Sequence, residues 1–449
     1  MRVRYMAVLV SVLALGQQAA AQELAGAIQQ ALETHPQVQA GVNSRLAADY
    51  QLKAAKGGYL PSIDLRGGYG REGTDSRSTR GEGDHWRTLS RGESSLNLSQ
   101  MVFDGFATSS EVGRQSAIVN SRAYGLLATS ELVALDAVEV YLEVLRRHEL
   151  VRLAEENYRS HQRIYDQISL RAERGIGSTA DRDQADARLA QAHNNLITEQ
   201  TNLADARVNY LSVIGHEPGD LIPPSSASLV LPESLEEARK RMLENNPQLR
   251  SAESDIMATE RQYDAAKSTF FPHFDVEISR SANNDIDGAR GHENEWQAML
   301  RMRYNLFSGG SNKAELRARS YQVNEALDVR NNALRVLNEE LGMAWNAVLN
   351  ARAQKPVAEQ YAAYSQRVRE AYQQQFGLGD RTLLDLLDSE NELFTAQRRL
   401  VDVDFAGLYS QYRVKAAMGE LLRSQGVVAP LASAALSEVN TRVELPGLN

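Results

Sequence analysis

The sequence predicts a mostly α-helical chain with a transmembrane β part, built from duplicated helix-strand-strand-helix units. The first observation behind this is that the chain repeats itself. His35-Pro36-Gln37-Val38 returns as Asn246-Pro247-Gln248-Leu249, and Tyr59-Leu60-Pro61 with Asp64 returns as Phe270-Phe271-Pro272 with Asp275, always 211 positions later. Ala54-Ala55-Lys56 returns as Ala265-Ala266-Lys267, Val102-Phe103-Asp104-Gly105 as Leu306-Phe307-Ser308-Gly309, and Gly175-Ile176-Gly177 as Gly377-Leu378-Gly379. A long internal duplication means two copies of one structural unit. The second observation is a helical stretch in each copy far longer than a globular domain needs. The third is a pair of strands in each copy, about ten residues long with one apolar and one polar face, the length a tilted strand needs to cross a bilayer.

The elements follow in order. Met1-Arg2-Val3-Arg4, an apolar run from Met6 to Leu15 and Ala19-Ala20-Ala21 read as a secretory signal over residues 1–21. Residues 24–56, rich in Ala, Gln and Leu, read as helix. From Tyr59 to Gly70 the period changes to two: Tyr59, Pro61, Ile63, Leu65 and Tyr69 alternate with Ser62, Asp64, Arg66 and Gly68. A polar loop over 71–91 precedes a second strand with Leu96, Leu98 and Val102 on one face. A proline-free helix then spans 105–174, ~105 Å at its standard rise. Gly175-Ile176-Gly177 breaks it. The helix after that, 178–214, keeps a heptad spacing through Leu189, Ala192, Leu196, Leu203, Ala206, Tyr210 and Val213, with Glu199 alone off pattern. Residues 215–232 carry prolines and read as a linker. The second copy repeats the order: helix over 233–267, a strand from Pro272 to Ser279, a loop over 282–295, and a strand from Trp296 to Leu306. A long helix over 310–376 follows, in which Pro356 predicts a kink or interruption. A last helix covers 381–423, and a tail, 424–449, looks weakly ordered. In each copy the two shorter helices together match the long one, as in the wall of a rod or tube.

Composition excludes several classes. The net charge is −9, with no basic patch and few aromatics, so nucleic acid is not a partner. There is no cysteine, hence no disulfide, no thiolate metal site and no lipid attachment through an N-terminal cysteine. The eight histidines are scattered without a metal-ligand spacing, and no nucleophile elbow or phosphate loop occurs, so neither an enzyme nor a cofactor is expected. No later segment is apolar for long enough to form a spanning helix, so membrane entry must be as a β-barrel. Tyr59, Tyr69, Trp296 and Tyr304 near the ends of the apolar faces fit an interfacial aromatic girdle. Asp64, Arg66, Asp275, Glu277, Arg301 and Arg303 on the polar faces imply a wet lumen. Four strands cannot close a channel that wide, so copies of the chain must share one barrel.

The duplication, the helix lengths and the segment Gly377-Leu378-Gly379-Asp380-Arg381-Thr382-Leu383-Leu384-Asp385-Leu386-Leu387-Asp388 resemble the TolC family of outer-membrane export channels, over about residues 23–423. The resemblance implies a homotrimer with a 12-strand β-barrel continuous with a 12-helix α-barrel tunnel. On that basis the chain divides into a signal peptide (1–21), periplasmic helix (22–58), first barrel strand pair (59–103), tunnel helices with a tip at 175–177 (104–214), and equatorial linker (215–232). The second half gives a periplasmic helix (233–269), second strand pair (270–307), tunnel helices with a gate tip at 377–388 (308–423), and tail (424–449). By the same resemblance Asp385 and Asp388 line a constricted periplasmic entrance, and Arg381 with Asp183 latches it. Phe376 stands where the family has a hydrogen-bonding tyrosine, and Arg182 near a usual threonine.

Asp385 and Asp388 lie one turn apart on one helix face. They fit a ring of carboxylates around a trimer axis, drawing cations to a gate, and they equally fit ordinary acids at a helix start, favoured by its dipole. The resemblance implies a passive duct in the outer membrane, serving type I protein secretion with a periplasmic adaptor (membrane fusion) protein and an inner-membrane ABC transporter, and passing an exported protein cargo. Small-molecule or multidrug efflux through the same architecture is one alternative. A soluble periplasmic coiled-coil interaction protein is another, which the amphipathic strand pairs oppose.

Overall fold

The motif that announces the repeat also ends a helix. In the computed structural model, which describes residues 23–443 apart from 84 and 225–228, α1 (Leu24–Thr34) stops at His35, whose extended backbone suits a residue before proline, and Pro36 opens α2 (Pro36–Gly57). The second copy breaks alike between α6 (Leu235–Asn245) and α7 (Pro247–Lys267), where Asn246 Oδ1 accepts from the Gln248 and Leu249 amides at 2.9 and 3.3 Å. The stretches expected as single helices are therefore two each, because His35 and Asn246 take the extended backbone favoured before proline and each proline then opens a new helix. The expected signal peptide, 1–21, lies outside the described residues.

The strands are β1 (Ser62–Thr74), β2 (Arg87–Phe103), β3 (His273–Asn284) and β4 (His292–Arg303), in one antiparallel sheet ordered β1-β2-β3-β4. Ile63 faces Leu98, Leu98 faces Ile278, and Ile278 faces Ala298, so each strand's apolar set falls on one side. On the other side Arg303 reaches Asp275 at 2.6 Å and Arg301 pairs with Glu277. The strands run further than the alternation suggests: Arg71–Thr74 pair with Arg87–Ser90, and the loops shrink to 75–86 and 285–291. Apart from Leu89 these segments carry no apolar side chain, so the period-two signal fades although the ladder continues. The first loop holds a short helix, α3 (Arg77–Gly81), started by a capping box of Ser76 and Thr79 and braced by Arg80 on Asp75 at 2.6 and 2.8 Å.

The long helices are α4 (Ala107–Glu173) and α8 (Ser311–Leu378), 67 and 68 residues, each about 100 Å. Each is followed by a shorter one, α5 (Thr179–Ile214) and α9 (Leu383–Ala417). The interruption expected at Pro356 is absent: α8 runs through it. One proline deletes one donor in a ladder of more than sixty, so the helix continues on either side of it. Where β2 turns into α4, Gly105 has φ +66°, and a Cβ there would meet Ser268 O at 2.7 Å. Only glycine fits that close approach, and the duplication puts Gly309, φ +65°, at the matching turn.

The chain forms two compact units. Of the described residues, one takes those up to 39, within 130–239 and within 340–429; the other takes those within 40–129, 240–339 and 430–443 and so contains the sheet. In the first unit the off-pattern Glu199 is buried and receives Arg147 from α4 at 3.2 Å and Arg398 from α9 at 2.9 Å. Tyr141, also buried, donates to Ile222 O at 2.7 Å and accepts from Ile222 N, fixing the proline-rich linker. Glu131 accepts from the Leu421 and Leu422 amides at 2.9 and 3.4 Å, at the start of α10 (Leu421–Ser424).

In the second unit the described part of the tail, 430–443, is bound to α4 and the second-copy helices, contrary to the expectation of weak order. Asn120 bonds Leu436 N and Ser437 Oγ, the Tyr124 hydroxyl accepts from Val439 N, and Thr441 donates to Leu243 O. Arg442 pairs with Glu253, which is fully buried and also holds Arg330 at 3.0 Å. The composition of the tail hid this order because the bonds that tie it to the helices are long-range.

Burial pushes the Glu131 carboxyl up to about 7, against the pull of its two amide donors. A folded value above the unfolded one means that the fold favours the protonated form, so this contribution to stability is full below pH ~4.5 and is lost as pH rises through about 7. Glu131→Gln, which keeps an acceptor and removes the charge, is expected to raise the melting temperature at pH ~8 and leave it unchanged at pH ~4. Thermal unfolding of the detergent-solubilised protein at both pH values checks this, and parallel curves for the two proteins would remove Glu131 as the cause.

Candidate gate at the helix-hairpin tips

Two hairpin turns carry the residues singled out at the tips. α4 ends at Gly175, φ +74°, with the Ile176 and Gly177 amides both on Arg171 O at 3.0 and 3.2 Å. α8 ends two residues later than the repeat suggests. Gly377 and Leu378 lie inside the helix, Gly379 takes the left-handed turn at φ +89°, and Asp380 N closes it on Gln375 O at 3.0 Å. Ser178 and Thr382 then cap α5 and α9. Between the turns Ile164, Ile168, Ala185, Phe376, Leu383, Leu386 and Leu387 form one buried cluster. Phe376 is thus a packing residue, with the Arg171 guanidinium over its ring at 5.2 Å; burying such a side chain contributes about 1.5–3 kcal/mol.

Asp385 is the third residue of a capping box. Thr382 Oγ1 accepts from Asp385 N at 3.2 Å, and Asp385 Oδ2 accepts from the Thr382 hydroxyl at 2.8 Å and amide at 3.3 Å. The Thr382 bonds, with the nearby charge of Arg381, hold its carboxyl below the ordinary carboxylate value. Arg381 stands 3.9 Å away, lies over the Tyr372 ring at 4.3 Å and donates to Gln375 Oε1 at 2.9 Å. Asp388, one turn on, pairs with Arg188 of α5 at 2.9 Å. Beneath Arg188, His161 is buried, and burial followed by the Arg188 charge pushes its imidazole down to about 4, so it is neutral at ordinary pH. Asp183 is 73% exposed beside Arg182 at 3.4 Å.

The structure therefore places Arg381, Asp385 and Asp388 on one tip and gives each carboxylate an arginine of its own chain. Within one chain it does not join Arg381 to Asp183. Asp385 caps its helix and is half-exposed, and Asp388 stays exposed. Sequence reasoning missed Arg188. It flanks Leu189 and Ala192 of the heptad seam, the position from which coiled coils form interhelical ion pairs, and that signal was legible. Among the described residues, no group of His, Cys, Asp or Glu is placed to hold a metal, and no helix is long and apolar enough to cross a membrane.

Comparison with known proteins follows the same outline. The family model "Outer membrane efflux protein" matches residues 27–216 and 238–420. The outer membrane efflux protein BepC of Brucella suis is 25% identical over 91% of this chain and 88% of its own length. The alkaline protease secretion protein AprF of Pseudomonas aeruginosa is 24% identical over 87% of this chain and 83% of its own. A crystal structure of CusC, described in terms of transmembrane channel formation, superposes with a TM-score of 0.78 at 17% identity, covering 88% of this chain and 91% of that one.

Arg188→Ala should uncover Asp388 and strengthen its hold on cations. In planar bilayers the variant is expected to show greater cation preference and block at lower divalent concentration than the wild type, while Arg188→Lys stays close to it. Equal block in all three would mean that the pair at 2.9 Å does not set the charge of the entrance.

Proposed function

Because the chain belongs to the outer membrane efflux protein family and is an outer-membrane channel rather than an enzyme, we propose that it is the trimeric, passive outer-membrane duct of a type I protein secretion system. The sheet carries the trimeric duct, not the choice of cargo. Its apolar face is exposed and both edges, β1 and β4, lack a strand neighbour. Inside a bilayer an open edge leaves amides and carbonyls unpaired, at several kcal/mol per group. Adding copies edge to edge until the sheet closes removes that cost, and three copies of a four-stranded sheet give a 12-strand barrel. The ion-paired face of Asp275, Glu277, Arg301 and Arg303 then lines water.

The tips meet a periplasmic adaptor, through which an inner-membrane ABC transporter supplies energy and cargo. At the entrance Asp385 and Asp388 form the gate. Arg381 and the exposed Asp183 form a latch between neighbouring protomers, since neither finds the other within one chain. Protein cargo is favoured by similarity to a protease secretion protein along most of both chains. Small-molecule efflux is the second reading, favoured by the match to BepC, an efflux protein by name, over 91% of this chain.

Deleting the gene separates the two. Loss of a protein from the culture medium with unchanged drug susceptibility is expected; a full set of secreted proteins with heightened susceptibility would establish the efflux reading instead. For the gate, Asp385→Ala with Asp388→Ala should abolish cation preference and divalent block in planar bilayers. Unchanged selectivity would count against the carboxylates as the gate.

A further inference from the structure

Arg280 sits on the wrong face of the sheet for a charge. The register places it between Leu96 of β2 and Trp296 of β4. Two residues toward the helices the same face carries Ile63, Leu98, Ile278 and Ala298; two residues toward the hairpin loops it carries Gly67, Ser94, Ala282 and Asn294. Arg280 thus stands where the apolar rows end, beside an exposed tryptophan. It is itself exposed and makes no hydrogen bond or ion pair with the described residues.

Alternation explains why. The strand carboxylates, from Asp64 and Glu72 on β1 to Glu293 and Glu295 on β4, all have the opposite parity and point to the polar face. Because side chains keep a period of two along every strand, this holds for any barrel closed from these strands. A neighbouring copy therefore brings no acid to Arg280 either. Arg71, the other arginine on this face, lies beyond the apolar rows, level with Ser90. Arg280 therefore faces outward with no strand carboxylate on its side of the sheet, open to an anion from the surroundings.

We propose that Arg280 and Trp296 form a lipid site in which the guanidinium binds the phosphate of an anionic lipid of the outer leaflet. The indole lies along the upper part of its chains. The placement fits the chemistry: an arginine can bury its stem against apolar surface and raise its planar donors to headgroup depth, a guanidinium matches phosphate in two parallel hydrogen bonds, and tryptophan prefers that same boundary. The rows around it, Ile63, Leu96, Leu98 and Ile278, give the acyl chains an apolar wall. The loop end of the sheet faces outside, which assigns the site to the outer leaflet.

Native mass spectrometry of the full-length protein, purified in neutral detergent and offered diphosphoryl lipid A or an uncharged diacyl glycolipid, tests this. The wild type is expected to retain diphosphoryl lipid A in preference. Arg280→Gln should lower its retention about five-fold, and Arg280→Lys should keep most of it. Inorganic phosphate at the same concentration should not displace the lipid. Equal retention of the charged and uncharged lipids by the wild type would overturn the proposal without reliance on any variant. So would equal retention by wild type and Arg280→Gln, and displacement by inorganic phosphate would assign the site to free anions rather than lipid.

Discussion

A backbone amide in hydrocarbon has no water to bond to, and the rest of this protein follows from that. Within the sheet, β2 and β3 have partners on both sides, while β1 and β4 each present one open edge. The sheet cannot curl shut on itself, since four strands enclose no lumen that admits charged side chains. Closure by further copies satisfies the edges, and the same requirement accounts for the strict alternation: apolar residues face lipid, and Asp275, Glu277, Arg301 and Arg303 neutralise one another on the wet side. The helices inherit their register from these strands, because β2 feeds α4 through a turn that only glycine fits at Gly105.

Helices about 100 Å long pack along thin seams, with no thick core to hold them. Buried charge pairs therefore mark where each seam is specified. Glu199 joins α5 to α4 and α9 through Arg147 and Arg398. Glu253 joins α7 to α8 and to the tail through Arg330 and Arg442. Breaking such a pair strands an uncompensated charge, at about 3–5 kcal/mol, whereas an apolar seam of Ala and Leu tolerates a slip by one heptad with little loss. These pairs fix which layers of the helices meet.

At the tips the same economy of structure serves the entrance. Phe376 and its apolar neighbours hold the hairpins together from inside, leaving Asp385, Asp388 and their arginines on the surface. These four charges leave the tip close to neutral within each chain. In the gate we propose, selectivity depends on how firmly Arg188 and Arg381 keep their partners as well as on the carboxylates.

The sequence by itself determined the duplication, the order of helices and strands, the face of each strand that meets lipid, and the acids at the tip. These are local or periodic properties, and a period of two or of seven is legible wherever one face is buried. It failed where the signal was not periodic. His35-Pro36 and Asn246-Pro247 were legible as a repeat, and the break each makes had to be seen in the chain's path. Residues 71–74 and 87–90 are strand although Leu89 is their one apolar side chain. Only the tertiary structure decided that the tail straps onto Asn120, Tyr124 and Glu253, that Glu199 is buried between two arginines, and that Arg188 answers Asp388. Those pairings join residues from about fifty to more than three hundred positions apart, and no local pattern encodes which distant group a folded chain will bring within hydrogen-bonding distance.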